Sequence, residues 1–335
     1  MVAVSTASFV AALTLAGQGT AASASAVTTR ISVSSAGGQA NGNSVSTSIS
    51  PDGRYVAFGS DASNLVPGDT NRSQDVFIRD RQTGLTSRVS VTGSGAQAAC
   101  CYSDADANPS VSPDGRFVVF TSAAPTLVTG DINDAVDVFV RDRLAGTTRR
   151  VNVSGAGGQA ESGSVSGTSG SGTSEVSANG RFIAFFSNAR NLVPGDTNGS
   201  WDVFLRDMQA GVTRRISYSG TGVQGNAESD QNAISADGRY VVFESFASNL
   251  VPGDTNSRID VFLRDWQAGV TRRISYSGTG APGNNDSADP AISADGRYVA
   301  FFSNSTNLVP GDTNGKIDVF LRDWRTGVTR RISYS

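Results

Sequence analysis

One block of residues is written five times along this chain, and that repetition constrains the fold more than any other feature. The nonapeptides SPDGRYVAF (50–58), SPDGRFVVF (112–120), SANGRFIAF (177–185), SADGRYVVF (235–243) and SADGRYVAF (293–301) recur at spacings of 62, 65, 58 and 58 residues. Each is followed by a D-V-F-x-R-D segment, at 75–80, 137–142, 202–207, 260–265 and 318–323. Four strands are legible in every unit. Strand a ends at the serine before an Asp-Gly or Asn-Gly pair, a dipeptide that makes tight hairpins because both residues tolerate left-handed backbone. Strand b is the R-Y-V-A-F run; a loop such as NLVPGDTN leads to strand c, D-V-F-L-R-D; and a turn such as QAG (209–211) leads to strand d, VTRRISYS.

Composition points the same way, since 38 glycines, one lysine and four glutamates are poor material for helices and good material for strands and turns. The expected fold class is all-β. Four-stranded antiparallel units repeated around an axis make the blades of a β-propeller. An open solenoid is the competing architecture, but strands b and c read as buried on both faces, which suits blade packed on blade. The strand-d pattern occurs six times (28–34, 86–92, 147–153, 212–218, 270–276 and 328–334) against five a-b-c sets. The expectation is five blades, with six as the alternative, in a single domain over 27–335 whose repeats run 28–92, 93–153, 154–218, 219–276 and 277–335. In strand d, Arg215, Ser217 and Ser219 alternate with Ile216 and Tyr218, which predicts an outer strand with one wetter face.

Residues 1–26 hold a short apolar run around Phe9–Ala16 and end in Ala24-Ser25-Ala26, the small-residue pattern of a cleaved secretion signal, although no basic residue precedes the run. The expected location is secreted or periplasmic. The 27 basic and 30 acidic residues are interspersed, so no basic stripe exists for nucleic acid, and no other segment approaches the ~20 apolar residues of a membrane helix. Cys100 and Cys101 are adjacent and cannot staple distant strands; a vicinal disulfide and a plain loop pair both fit.

The Ser50-Pro51-Asp52-Gly53-Arg54 turn and its copies, the D-V-F-x-R-D strand and the following R-x-S strand resemble the TolB-type, WD-like β-propeller repeats of bacterial envelope and secreted proteins. The resemblance covers residues 28–335, and it implies a binding scaffold in the envelope or outside the cell. The units of 58 to 65 residues are longer than the ~40–45 of ordinary WD repeats, and the chain looks unlike TolB in its expected lack of a separate amino-terminal domain, so the resemblance implies no TolB-specific partner.

Strand order sets the geography of such a unit. The Asp-Gly turns and c-d turns share one face; the b-c loops and the d-to-a crossovers share the other. The crossovers differ from copy to copy, and variable loops on a rigid repeat scaffold carry specificity, so that second face is the expected binding surface, for a protein or a glycan, on a monomer. A repetitive lectin with equivalent sites between blades is the alternative. The chain contains no histidine, which removes Ser-His-Asp, Cys-His and histidine-metal chemistry, and it has no G-x-S-x-G elbow. Gly220-Gly222-Gly225 and Gly278-Gly280-Gly283 match G-x-G-x-x-G, but no helix pattern follows. Paired-carboxylate chemistry needs acids that break the repeat symmetry. Glu161, Glu175, Glu228 and Glu244 are the glutamates available, and most aspartates sit in repeated motifs. The chain is therefore read as a non-enzyme, a carbohydrate-active enzyme being the alternative. Trp201, Trp266 and Trp324 are expected to pack rather than line one sugar site, and Arg181, Arg206 and Asp207 to pair across strands or blades.

The b-c loop raises one metal question. Its Asp-x-Asn-x-x-x-Asp spacing, Asp69, Asn71, Asp75; Asp131, Asn133, Asp137; Asp196, Asn198, Asp202; Asp254, Asn256, Asp260; and Asp312, Asn314, Asp318, begins like a calcium loop. The fifth position is Ser73, Ala135, Ser200, Arg258 and Lys316, and cations there do not suit a calcium cage. The twelfth position, Asp207 and its counterparts, lies about 17 Å of extended strand away from the seventh. An Asx-turn that ties the loop to its strand is the preferred reading; Ca²⁺ held by those fifteen residues is the second, and no other cofactor is expected.

Overall fold

A computed structural model describes residues 27–99, 108–161 and 174–333 of the chain. The leader-like residues 1–26, Cys100 and Cys101 lie outside the described residues. Among the described residues the elements are all strands, in five separate antiparallel sheets of four, each ordered a-b-c-d as in the sequence. Blade 4 stands for the rest: a is Ser229–Ile234, b is Tyr240–Ser245, c is Asp260–Asp265 and d is Val270–Arg273. The fold is an all-β propeller of five blades.

Strands b and c pair residue for residue, Tyr240 opposite Asp265 through Ser245 opposite Asp260 in blade 4. That register puts the central phenylalanines of b and c side by side in every blade; Phe243 and Phe262 stack at 5.8 Å, as do Phe58 and Phe77, and Phe120 and Phe139. The Phe pair faces the preceding blade, and the valine and leucine side of the same strands faces the next. Thus Ala184, Val203, Leu205 and Ile216 of blade 3 meet Val241, Phe243, Leu250 and Phe262 of blade 4 in one buried cluster. Strands a of neighbouring blades approach one another while strands d do not, so a lines the axis and d forms the rim.

Polar groups reinforce each junction. Thr148 Oγ1 donates to Val91 O of the previous blade's tail at 2.5 Å and Thr271 Oγ1 to Tyr218 O at 2.6 Å, while Arg141 Nη1 reaches Thr92 O at 2.9 Å. At the Asp-Gly turns, the arginine that opens strand b forks onto the aspartate that closes strand c: Arg181 Nη2 lies 2.8 Å from Asp207 Oδ2 and Arg239 Nη2 lies 2.7 Å from Asp265 Oδ2. These pairs are the cross-strand role expected for Arg181 and Asp207, and Arg206 spans blades by donating to Ser154 O at 3.1 Å. The tryptophans pack: Trp266 lies 5.5 Å from Phe182 and donates Nε1–H to Gly238 O at 2.8 Å, Trp324 lies 5.6 Å from Tyr240, and Trp201 lies 5.5 Å from Phe186.

Three details differ from the sequence reading. Strand d is short, Val212–Arg215 in blade 3, because the chain then leaves the sheet in a tail closed by the Tyr218–Gln224 bridge. The sixth strand-d copy, 28–34, forms no strand; a Val33–Gln39 bridge closes it into the same kind of tail, and Ile31 and Ala40 pack on Phe58, Ala62, Leu65 and Phe77 of blade 1. The wetter face of strand d is dry at its arginine: Arg215 is 8 % exposed and Arg273 3 %. The G-x-G-x-x-G segments are these tails, and no helix follows them.

Candidate functional site

The buried strand-d arginine organises the face of loops and crossovers. In blade 3, Arg215 Nη2 lies 3.4 Å from Asp196 Oδ2 and Arg215 Nε 3.7 Å from Asp202 Oδ2. Asn198 Nδ2 donates to Asp202 Oδ2 and to Gly225 O, both at 3.0 Å, and Asn198 Oδ1 accepts the Ser200 N–H at 3.1 Å, an Asx-turn. Ser217 Oγ donates to the other Asp202 oxygen. All fifteen residues weighed for calcium come together in this way. Arg88 joins Asp69 and Asp75 at 3.2 and 3.3 Å, with Asn71 on Asp75 at 3.3 Å. Arg150 joins Asp131 and Asp137 at 3.1 and 3.3 Å, with Asn133 on Asp137 at 3.2 Å. Arg273 joins Asp254 and Asp260 at 2.6 and 3.5 Å, with Asn256 on Asp260 at 2.9 Å. Arg331 joins Asp312 and Asp318 at 3.0 and 3.3 Å, with Asn314 on Asp318 at 2.8 Å.

Two consequences follow for these clusters. The fifth loop position contributes its backbone N–H, as Arg258 and Lys316 do to Asn256 and Asn314 at 3.2 and 2.8 Å, so its side chain is free to vary. The positive charge between the two aspartates is a guanidinium, whose partner was signalled in sequence only by the R-x-S spacing of strand d. Burial pushes the Asp137 and Asp202 carboxyls up to about 6 despite that cation, whereas the Ser333 hydroxyl and the Asn314 amide hold Asp318 below the usual range. We expect the thermal midpoint in millimolar calcium to equal that in chelator; a calcium-dependent rise of several degrees would instead assign the loops an ion.

The anchored loops border three clefts. One, of ≈ 810 Å³, lies between the b-c loop of blade 2 (Val128, Ile132), its Arg149 and tail (Val153, Glu161), and Arg206 of blade 3. A second, of ≈ 470 Å³, repeats it one unit on with Val193, Arg214 and Tyr218 in the places of Val128, Arg149 and Val153. A third, of ≈ 670 Å³, opens between the Ser219–Val223 part of the tail and the loop at Ser248–Thr255.

Near the axis a group of acids breaks the repeat. Glu244 on strand b of blade 4 accepts the Asp289 N–H of blade 5 at 2.7 Å and faces Asp230, with the Glu228 charge close by. Phe302 and Ala288 hold the positions of Glu244 and Asp230 in blade 5. Burial pushes Glu244 up to about 8, and the charges of Asp230 and Asp289 add to it; Glu175, on Ser110 at 3.1 Å, is pushed up to about 7 by burial. The folded state therefore holds a proton on Glu244 that the unfolded chain releases. Its stabilisation is full below pH ~4.5 and is lost as pH rises through about 8. Glu244→Gln should flatten the denaturation midpoint over that window and gain on the order of 1–2 kcal/mol at pH 9, after discounting for partial solvation. Equal pH slopes in both proteins would count against the assignment.

No family model and no curated relative matches the sequence. Solved structures do match in fold. The β-propeller domain of the Trilobed protease from Pyrococcus furiosus, which has an open velcro topology, superposes with a TM-score of 0.51 at 11 % identity over 87 % of this chain and 71 % of that one. TolB from Acinetobacter baumannii gives 0.48 at 15 % identity over 86 % of this chain, which spans 53 % of that protein. Dipeptidyl peptidase 4 from Porphyromonas gingivalis gives 0.49 at 15 % identity over 89 % of this chain and 40 % of that one. At these identities the likeness shows the fold alone, a propeller as the TolB-type resemblance implied. It also corrects the reading of the chain as a non-enzyme, because this fold occurs as a domain of a protease. The missing histidine excludes only histidine chemistry, and Asp230, Glu244 and Asp289 are the symmetry-breaking acids that the sequence reading did not assemble.

Proposed function

We infer that the chain is a recognition propeller that takes a protein or glycan ligand on the face of b-c loops and d-to-a crossovers, outside the cytoplasm. The observation that carries this reading is the set of clefts bordered by b-c loops and crossover tails, with the loop ends fixed by buried ion pairs. A preformed polar cleft with a few apolar side chains binds at low ordering cost. The extracytoplasmic location is supported by the leader-like residues 1–26. Among the described residues no helix is long and apolar enough to cross a membrane.

A second reading, a repetitive lectin, is favoured by one observation: two of the clefts are the same set of positions one unit apart. A glycan array followed by titration calorimetry separates the two. Several equivalent sites per chain support the lectin, one site supports a single ligand across the face, and silence on glycans directs the search to protein ligands. Turnover of an arrayed polysaccharide would place the chemistry at the axial acids instead.

A further inference from the structure

The five blades follow one another along the chain, and among the described residues four buried clusters join successive blades but none joins the fifth to the first. At the open end, Val319 and Ile332 are 40 % and 49 % exposed, and Ala300, Phe302 and Leu321 are half-buried. Their equivalents in blade 3 (Val203, Ile216, Ala184, Phe186 and Leu205) are 6 % exposed or less, under blade 4. Tyr298 is 37 % exposed, whereas its equivalents Phe182 and Tyr240 lie flat on the turn glycines Gly238 and Gly296 of the next blade. Gly53, which would receive Tyr298 in a closed ring, meets only the Arg81 guanidinium.

The other end is half furnished. Residues 31–40 occupy blade 1 as a preceding blade's tail would: Thr86 Oγ1 donates to Val33 O at 2.6 Å and Arg79 Nη1 to Ser34 O at 3.1 Å, the contacts that Thr148 and Arg141 make with Val91 and Thr92. Among the described residues no a, b or c strand accompanies this tail at the junction. Ile49 is 59 % exposed where Val111, Val176 and Ile234 are 9 % or less.

We propose that the space between blade 5 and blade 1 receives a sixth set of a, b and c strands written in this chain's own repeat pattern. The chemistry of the occupant follows from the four closed junctions. It presents a Phe pair to Val319, Leu321 and Ile332, offers an Asp-Gly glycine to the Tyr298 ring, and turns a valine-leucine face towards Ile49. A second copy of the chain fits less well. Its open fifth-blade face is of the same kind as the one to be covered, whereas every closed junction pairs unlike faces. Its first blade already carries residues 31–40 where the tail of blade 5 would lie.

The test appends a second copy of residues 277–327 after Ser335, so that tethering supplies a high effective concentration of the a-b-c set. Thiol labelling at Val319→Cys, located by mass spectrometry, reads coverage of the face. The expected result is labelling at least ten-fold slower than in the unextended chain, reversed when the appended copies of Phe301 and Phe320 are both Asp. Equal labelling with and without the extension, or an extended chain that unfolds or precipitates, overturns the proposal. So does a sedimentation run showing that the unextended chain is a dimer with position 319 protected, which would assign the face to a second copy.

Discussion

Replacing Arg150 by methionine lowers the unfolding free energy by about 3–5 kcal/mol, the cost of leaving buried charges without their partner. The side chains of Arg150, Asp131 and Asp137 are 6 %, 5 % and 0 % exposed, and Arg150 Nη1 also donates to Gln159 Oε1 at 2.6 Å. Asp137 already titrates high because burial outweighs its hydrogen bonds from Asn152 and Asn133. Without the guanidinium it can fold only by taking up a proton, so the loss should shrink below pH 5 and be largest above pH 7. Urea unfolding at pH 4.5 and pH 7.5 measures both values. A loss under 1 kcal/mol at pH 7.5 would mean that the pair behaves like a surface ion pair.

The second large effect separates two turn glycines of identical local sequence role. Gly238 and Gly53 both have positive φ, +75° and +71°. A Cβ at Gly238 would overlap the Phe182 ring, a clash with the packed core, whereas one at Gly53 meets only Arg81 Nη1 at 3.4 Å, the mobile end of a long side chain. Gly53→Ala pays the backbone penalty alone, about 1–2 kcal/mol. Gly238→Ala adds overpacking and should cost about 3–5 kcal/mol in all. Equal losses would show that blade 1 has an aromatic partner after all and that its preceding junction is closed.

Most of the blade was legible in the sequence because each strand answers to one period and one turn. The Asp-Gly pair placed the a-b hairpins, D-V-F-L-R-D fixed strand c to the residue, and the a-to-d geography followed from strand order. What was not legible depends on contacts between units. Arg215 reads as an exposed outer-strand arginine in a strip of charges, and only the fold brings Asp196 and Asp202 to it from a loop that precedes it in the chain. The Asp-Asn-Asp loops look like a calcium motif for the same reason: spacing reports oxygen atoms but not the cation already among them. Glu244 and Asp230 lie 14 positions apart and belong to two strands, so their meeting with Asp289 of the next blade needs the b-a pairing and the blade junction together. The surplus strand-d copy was countable, but its role as a tail on blade 1 required the Thr86 and Arg79 bonds to be seen.

The reading of the loop and crossover face as the recognition surface is tested most directly by matched charge insertions on the two faces, read as affinity for whatever glycan or protein ligand the array or a defined ligand panel identifies. Ile132 in a b-c loop is 83 % exposed and Val223 in a crossover 53 %, while Leu144 in a c-d turn on the opposite face is 79 % exposed. Ile132→Asp and Val223→Asp together should weaken binding at least ten-fold with the unfolding midpoint unchanged, and Leu144→Asp should leave it intact. Full affinity in the double variant with loss in Leu144→Asp would contradict the account and move the binding surface to the Asp-Gly face.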